Sequence, residues 1–158
     1  MVLEKFFLHQ LLDSVKVARL ALINRKNLPE AIPIVFGRYE DFLFSPVDGK
    51  PKRSSNLARI KNIKANSSTM LLFDYYSENW EELWWVRLVC ESEVVSDPPH
   101  TDSYQTLLKA KYEQYQVTQL SNEVDECTFI TFNIKSVSWW GFLGKHTLEN
   151  WLAKNAVV

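Results

Sequence analysis

The chain has 158 residues, 46% of them hydrophobic and 13% aromatic, with a formal net charge of −1. A chain of this length buries about 70% of its unfolded surface, so neither disorder nor a disulfide scaffold is expected, and one domain spanning residues 1–158 is. The near-neutral balance excludes a global electrostatic pull toward nucleic acid. Two cysteines far apart in sequence, Cys90 and Cys127, fit a reducing compartment. The first residues mix Glu4, Lys5 and His9 among apolar ones, which is no signal peptide, and no apolar run is long enough to span a bilayer. The expected location is the cytoplasm, away from membranes.

Leu3 to Ser14 reads as an amphipathic helix with Phe7, Leu8, Leu11, Leu12 and Val15 on one side. Lys16 to Ile23 alternates and predicts a strand with Ala18, Leu20 and Leu22 on one face. Asn24 to Asn27 is turn material, Glu30 to Phe36 a second strand, Glu40-Asp41 a turn, and Phe42 to Ser45 a third strand, together a meander of hairpins. Thr69 to Tyr76 is a nearly continuous apolar strand expected to be covered on both faces. Leu83 to Val95 is a long strand with a buried face (Trp84, Val86, Leu88, Cys90) and a mixed face (Trp85, Arg87, Val89, Glu91). Asp97-Pro98-Pro99 ends it. Thr101 to Tyr115 predicts a helix capped by Thr101 or Asp102, with Tyr104, Leu107, Leu108 and Tyr112 as its stripe. Gln116 to Glu126 reads as loop, Cys127 to Trp140 as the last strand with Ile130, Phe132 and Ile134 on one face, and the tail from Thr147 as one or two helical turns. The sum is a mainly β domain of about six antiparallel strands with three flanking helices, closed economically as a barrel.

Between the third strand and a short helical pattern (Leu57, Ile60, Ile63) lies Asp48-Gly49-Lys50-Pro51-Lys52-Arg53-Ser54-Ser55-Asn56. Ser54 or Ser55 is a natural N-cap. Lys50, Lys52 and Arg53 crowd the end of the helix that already carries partial positive charge. From Asp48 to Asn66 there are six cations and one acid. An anion such as a phosphate, held by first-turn amides and these side chains, would make the arrangement favourable. A basic surface loop is the other reading, and the residues alone leave both open.

Much chemistry is excluded. Four glycines, Gly37, Gly49, Gly141 and Gly144, build neither a dinucleotide fingerprint nor a P-loop. His9, His100 and His146 are isolated, so no metal site is expected. Cys90 and Cys127 read as structural, and no nucleophile or general acid–base pair stands out. Phosphate-binding charge and aromatics without acid–base apparatus suggest a cofactor that carries its own chemistry. Trp84 and Trp139 read as packing. Trp85 and Arg87 share a strand face and could hold a planar ligand with an anionic tail, unless Arg87 simply pairs with Glu91 or Glu93.

Several segments, taken in order, resemble the pyridoxamine-phosphate-oxidase-like split-barrel family, and within it the branch of F420-dependent enzymes. They are Val17-Ala18-Arg19-Leu20-Ala21, Ile32-Pro33-Ile34-Val35-Phe36, Val47 to Leu57, Asn66 to Tyr76, Trp80 to Arg87, and Leu107 to Tyr115 around Ala110-Lys111-Tyr112. The resemblance implies a six-stranded antiparallel split barrel of Greek-key type that forms a homodimer. It also implies two cofactor sites in the cleft between subunits. Carried over by position, Lys50, Lys52, Arg53 and Ser54 would hold a phosphate bordered by Ser45 and Asn56. Trp85 and Arg87 would line the ring or phosphate region, from either subunit. Trp140 would stand near the strand that closes the site. Ser138-Trp139-Trp140-Gly141 only partly echoes the oxidases' closing segment, and no Arg-x-His-x-Arg motif follows. This points away from pyridoxamine phosphate as substrate.

The expected function is therefore an oxidoreductase that uses FMN or F420 to transfer a hydride to or from a small organic substrate. Arg19, Arg25 or Lys145 could meet the anionic tail of F420. The alternatives are a non-catalytic flavin or haem binder or sensor on the same fold, and, more remotely, a single-stranded nucleic-acid binder using basic and aromatic residues.

Overall fold

The computed structural model describes residues 2–47, 54–117 and 128–157, with only the backbone course given for 54–57 and 116–117. Alternation acts as expected in β1 (Ala18–Ile23), where Ala18, Leu20 and Leu22 are buried, and in β6 (Trp84–Ser96), where Trp84, Val86, Leu88 and Cys90 are. Between these strands come β2 (Pro29–Ile34), β3 (Gly37–Tyr39), β4 (Phe42–Pro46), α2 (Ser54–Ala65) and β5 (Ser68–Tyr75). A 3-10 turn (Trp80–Glu82) precedes β6. α3 (Thr101–Lys111), α4 (Gln114–Val117), β7 (Thr128–Gly141) and α5 (Lys145–Asn155) follow it, and α1 (Lys5–Ser14) opens the chain.

The turn after β1 forms for the expected reason. Asn24 Oδ1 accepts from the amides of Lys26 and Leu28, and Asn27 takes a positive φ of 61°. Four expectations are corrected. There are seven strands among the described residues rather than six, because Gly37–Tyr39, expected in no strand, forms a short one that pairs with β4. β5 is covered on one face only: Thr69, Leu71 and Phe73 are buried, while Met70 is exposed. α3 begins after His100 with no side-chain cap, since the Thr101 hydroxyl donates instead to the Pro98 carbonyl at 2.7 Å. The tail forms the eleven-residue α5, and Gln116 and Val117 belong to α4.

The strands form one antiparallel sheet in the order β2-β1-β5-β6-β7-β4-β3. β5, β6 and β7 lie side by side in chain order, with α3 and α4 between β6 and β7, and β4 returns beside β7 in Greek-key order. The two edge strands, β2 and β3, are consecutive in the chain and joined only by Val35 and Phe36. Three Cα–Cα steps hold Ile34 and Gly37 within about 11 Å, so the sheet curls until its edges meet without pairing. The result is a mainly β, split-barrel-like domain with flanking helices. Phe36, Leu43, Phe73, Trp84, Val86 and Phe132 fill its interior together with Leu11 and Leu12 of α1 and Leu148 of α5. A smaller cluster, Phe44, Tyr104, Leu108, Tyr115 and Phe129, lies where α3 covers the outer side of β4 and β7.

The link between the edges belongs to no ladder, so its polar groups need other partners. Ser45 Oγ donates to the Val35 carbonyl at 2.7 Å. The Tyr112 hydroxyl accepts from the Phe36 amide at 3.1 Å and donates to the Lys16 carbonyl at 2.8 Å, with the Phe36 carbonyl also at 3.1 Å. Lys111 lies beside it, its Nζ 3.6 Å from the Phe36 ring centroid and donating to the Leu12 carbonyl at 3.1 Å. Burial pushes the Lys111 amine down to about 7, against partial support from Asp13, whose carboxylate is gripped by Arg38 at 2.7 and 2.9 Å. Burial likewise pushes the Tyr112 phenol up to about 12.

Two expectations follow from this seam. Tyr112→Phe leaves the Phe36 amide without its acceptor and should lower stability by about 1–3 kcal/mol, measured as a drop in the urea midpoint at unchanged slope. Lys111 sets a pH dependence. Its amine is neutral in the folded protein above about pH 7 and protonated in the unfolded chain up to about 10.4. The unfolded state therefore binds more protons in that window, and stability rises with pH. From pH 7 to 9 the gain should approach roughly 1.4 kcal/mol per unit. Above pH 9 the buried Cys90 thiol and Tyr112 phenol, both raised to about 12 by burial, work against it. Lys111→Met should flatten the rise between pH 7 and 9 in urea titrations. An unchanged slope would show that Lys111 is protonated in the folded state.

Candidate functional site

β6 and β7 pair along almost their whole lengths. Trp85 stands opposite Trp140 and Arg87 opposite Ser138, so the four side chains form two adjacent cross-strand pairs on the outer face. The Arg87 guanidinium lies over the Trp85 ring, 5.4 Å from its centroid, and Nε donates to Ser138 Oγ at 3.2 Å. Trp140 is 42% exposed and meets Phe142 edge-on at 6.3 Å.

A bulge produces this grouping. Val89 pairs with Ser136 and Cys90 with Ile134, so Lys135 has no opposite residue. Before the bulge the even-numbered residues Ile130, Phe132 and Ile134 point inward. After it the inward positions are Trp139 and Gly141, which frees Trp140 to face out. Strict alternation along β7 would have buried Trp140, and its exposure was not readable from spacing.

Two acids of this face are paired elsewhere. Asp74, opposite Trp85 on β5, holds Arg19 at 2.8 Å, and Glu91 holds Lys135 at 3.7 Å. Arg87 makes neither of the ion pairs considered for it. Among the described residues it is a cation resting on an aromatic ring with no carboxylate partner. Around it the face is apolar, with Met70 40% exposed and Leu72 and Val89 half-buried.

The other expected site residues are distributed as follows. Ser45 is buried with its hydroxyl bonded to Val35, so its structural role is to hold the seam. Lys50, Lys52 and Arg53 lie outside the described residues. Ser54 and Asn56 fall in the first turn of α2, where only the backbone course is described. The basic segment leaves the sheet at Val47, whose amide donates to the Thr128 carbonyl. Thr128 pairs with Ser96, at the end of β6 opposite to Trp85. Trp84 and Trp139 pack into the main core as expected. Cys90 is buried and Cys127 lies outside the described residues. The histidines stay apart: His9 is near Asp41 and its pKa is lowered, first by burial, His100 stacks on Tyr39, and His146 sits by Glu149. No group of three or more His, Cys, Asp or Glu that could hold a metal occurs among the described residues. No described helix is long and apolar enough to cross a membrane.

No protein-family model matches the sequence, and no curated protein does. Solved structures do match in shape. A conserved hypothetical protein of Mycobacterium tuberculosis superposes with a TM-score of 0.71 at 13% identity, covering 90% of this chain and 87% of the other. The haem storage protein of Vibrio cholerae gives 0.64 at 13% identity, covering 89% and 95%. A Listeria innocua protein described as a candidate pyridoxamine 5'-phosphate oxidase gives 0.59 at 12% identity, covering 82% and 91%. At these identities the likeness shows the fold: the chain shares the architecture of pyridoxamine-phosphate-oxidase-like split-barrel proteins.

Proposed function

We propose that the protein is a flavin- or deazaflavin-dependent oxidoreductase, binding FMN or F420 in a cleft between two copies of the chain. The observation that carries this reading is the outer-face patch of Trp85, Arg87, Ser138 and Trp140. Two flat rings and a guanidinium without a carboxylate suit an aromatic ligand bearing an anion. The bound cofactor would supply hydride transfer to a small organic substrate. The chain would supply ring contacts, a phosphate grip from Lys50, Lys52, Arg53 and first-turn amides of α2, and exclusion of water.

The placement of these parts supports a homodimer. Arg87 lies nine residues along β6 from Ser96, or about 30 Å of strand, while the basic segment departs beside Ser96. A second copy laid antiparallel across the exposed β5–β6–β7 face would bring one chain's Trp85 end to the other's basic segment. It would also cover Met70, Leu72 and Trp140. Each site would then be built from both chains.

A carrier function on the same fold is the second reading, favoured by the likeness to a haem storage protein. Against haem stands the absence of any histidine on β6 or β7 to serve as axial ligand.

Titration with FMN, F420 and haemin separately should give micromolar binding of FMN or F420 and a dimer by sedimentation. Lys52→Glu with Arg53→Glu should abolish cofactor binding in a folded protein. Trp85→Ala with Arg87→Ala should do the same. Mixed dimers of the two double mutants should regain one site per dimer, because one cleft then receives only unaltered residues. A haem Soret band without flavin binding would favour the carrier, and failure to bind any of the three ligands would sink both readings.

A further inference from the structure

A second cleft lies at the end of the barrel, away from the Trp85 face. Tyr75 closes β5 opposite Trp84, and α5 crosses this end so that the Trp151 ring stands 6.3 Å from Tyr75 and 5.1 Å from Trp84. Between α5 and the 3-10 turn is a cavity of about 180 Å³, larger than the roughly 150 Å³ apolar cavity known to admit benzene. Tyr75, Trp151, Glu81, Glu82, Asn150 and Lys154 line it. One ring deeper, Trp84 is 2% exposed and its indole N–H meets no acceptor among the described residues.

Glu82 is set up as an anion. Ser77 Oγ donates to it at 2.7 Å and Lys154 Nζ stands 3.4 Å away. These contacts, the Ser77 hydrogen bond first, hold its carboxyl below the usual range. Lys154 is 69% exposed, and an ion pair so open to water is weakly held. Two carboxylates and one ammonium leave the cleft one negative charge in excess. Aromatic faces beside carboxylates, over a recess of this size, match one ligand chemistry: a single positive charge on a small apolar body, which the rings attract through their quadrupoles and the carboxylate through its charge.

We infer that this barrel-end cleft binds a small organic ammonium ion against the Tyr75 and Trp151 side chains, with its charge directed at Glu82 and the neighbouring Glu81, in competition with Lys154. The site is independent of the cofactor cleft and could stand if that reading fails.

The test uses choline as probe and its uncharged carbon isostere, 3,3-dimethylbutan-1-ol, as control, followed by amide chemical shifts of the full-length protein. Choline should produce saturable shifts confined to residues 75–83 and 147–155, and the alcohol should bind roughly tenfold more weakly, the cost of losing about 1.4 kcal/mol of charge recognition. Glu82→Gln should weaken choline severalfold, whereas Lys154→Met should tighten it by removing the competing cation. Binding of the alcohol equal to that of choline would overturn the inference. So would shifts centred elsewhere, no saturation, or weaker choline binding by Lys154→Met.

Discussion

A two-residue link between the first and last strands of the sheet fixes most of what this molecule can do. Val35 and Phe36 leave no slack, so the sheet must close on itself, and the link's own amides and carbonyls are removed from any ladder. Buried peptide groups left without partners would cost more than the closure gains. Ser45 of β4 and Tyr112, just beyond α3, meet that demand, and the Lys16 carbonyl in turn accepts from the Tyr112 hydroxyl. The same closure fills the interior. Phe36, Phe73, Trp84 and Phe132 occupy the barrel axis, as side chains must in a barrel of few strands. Among the described residues the interior is filled by side chains. Ligands are left with the outer face of the sheet and the open ends of the barrel, where the two proposed sites lie.

Much of this frame was legible in the sequence because burial imposes its period on the residues. β1, β6 and α1 were recovered from apolar spacing alone, and the Asn24 turn from its side-chain chemistry. The departures have local causes. β3 is three residues long and contains Gly37, whose closeness to the Phe44 ring leaves no space even for a methyl group, and so short a strand carries no readable alternation. β5 looked buried on both sides because Met70 and Leu72 are apolar. Among the described residues Met70 is left exposed and Leu72 half-buried, which is what an apolar face reserved for a partner would look like.

The candidate site residues could be named from the sequence, but their arrangement could not. Tryptophans and an arginine flagged β6, but their partners on β7 depend on a register that thirty-one intervening residues, Asp97 to Cys127, leave free. The bulge at Lys135 then reverses the inward set. Ser45 was legible only as a polar residue next to a basic loop. Its hydroxyl turns out to serve the backbone, a role that depends on which strand edge comes to lie beside it. Chemistry-bearing residues can be read from a sequence more readily than the question of whether folding has already used them.

Arg87 is the case where folding has not used up a charged group. Two acids near it on the outer face have their own cations: Asp74 has Arg19 and Glu91 has Lys135. A guanidinium on an indole ring keeps a favourable but modest contact, of order 0.5–1 kcal/mol at an exposed site, and retains its whole charge. While the face is open to water, the Trp85 ring and the Ser138 hydroxyl are enough to hold Arg87 in place. If a second copy covers the face, the balance changes. Desolvation would make an unpaired guanidinium costly, and the surface would then require an anion. An apolar sheet face that invites a partner and a cation that the partner's approach would strand are reconciled by the same event: a ligand that brings both a flat ring and a negative charge into the closing cleft.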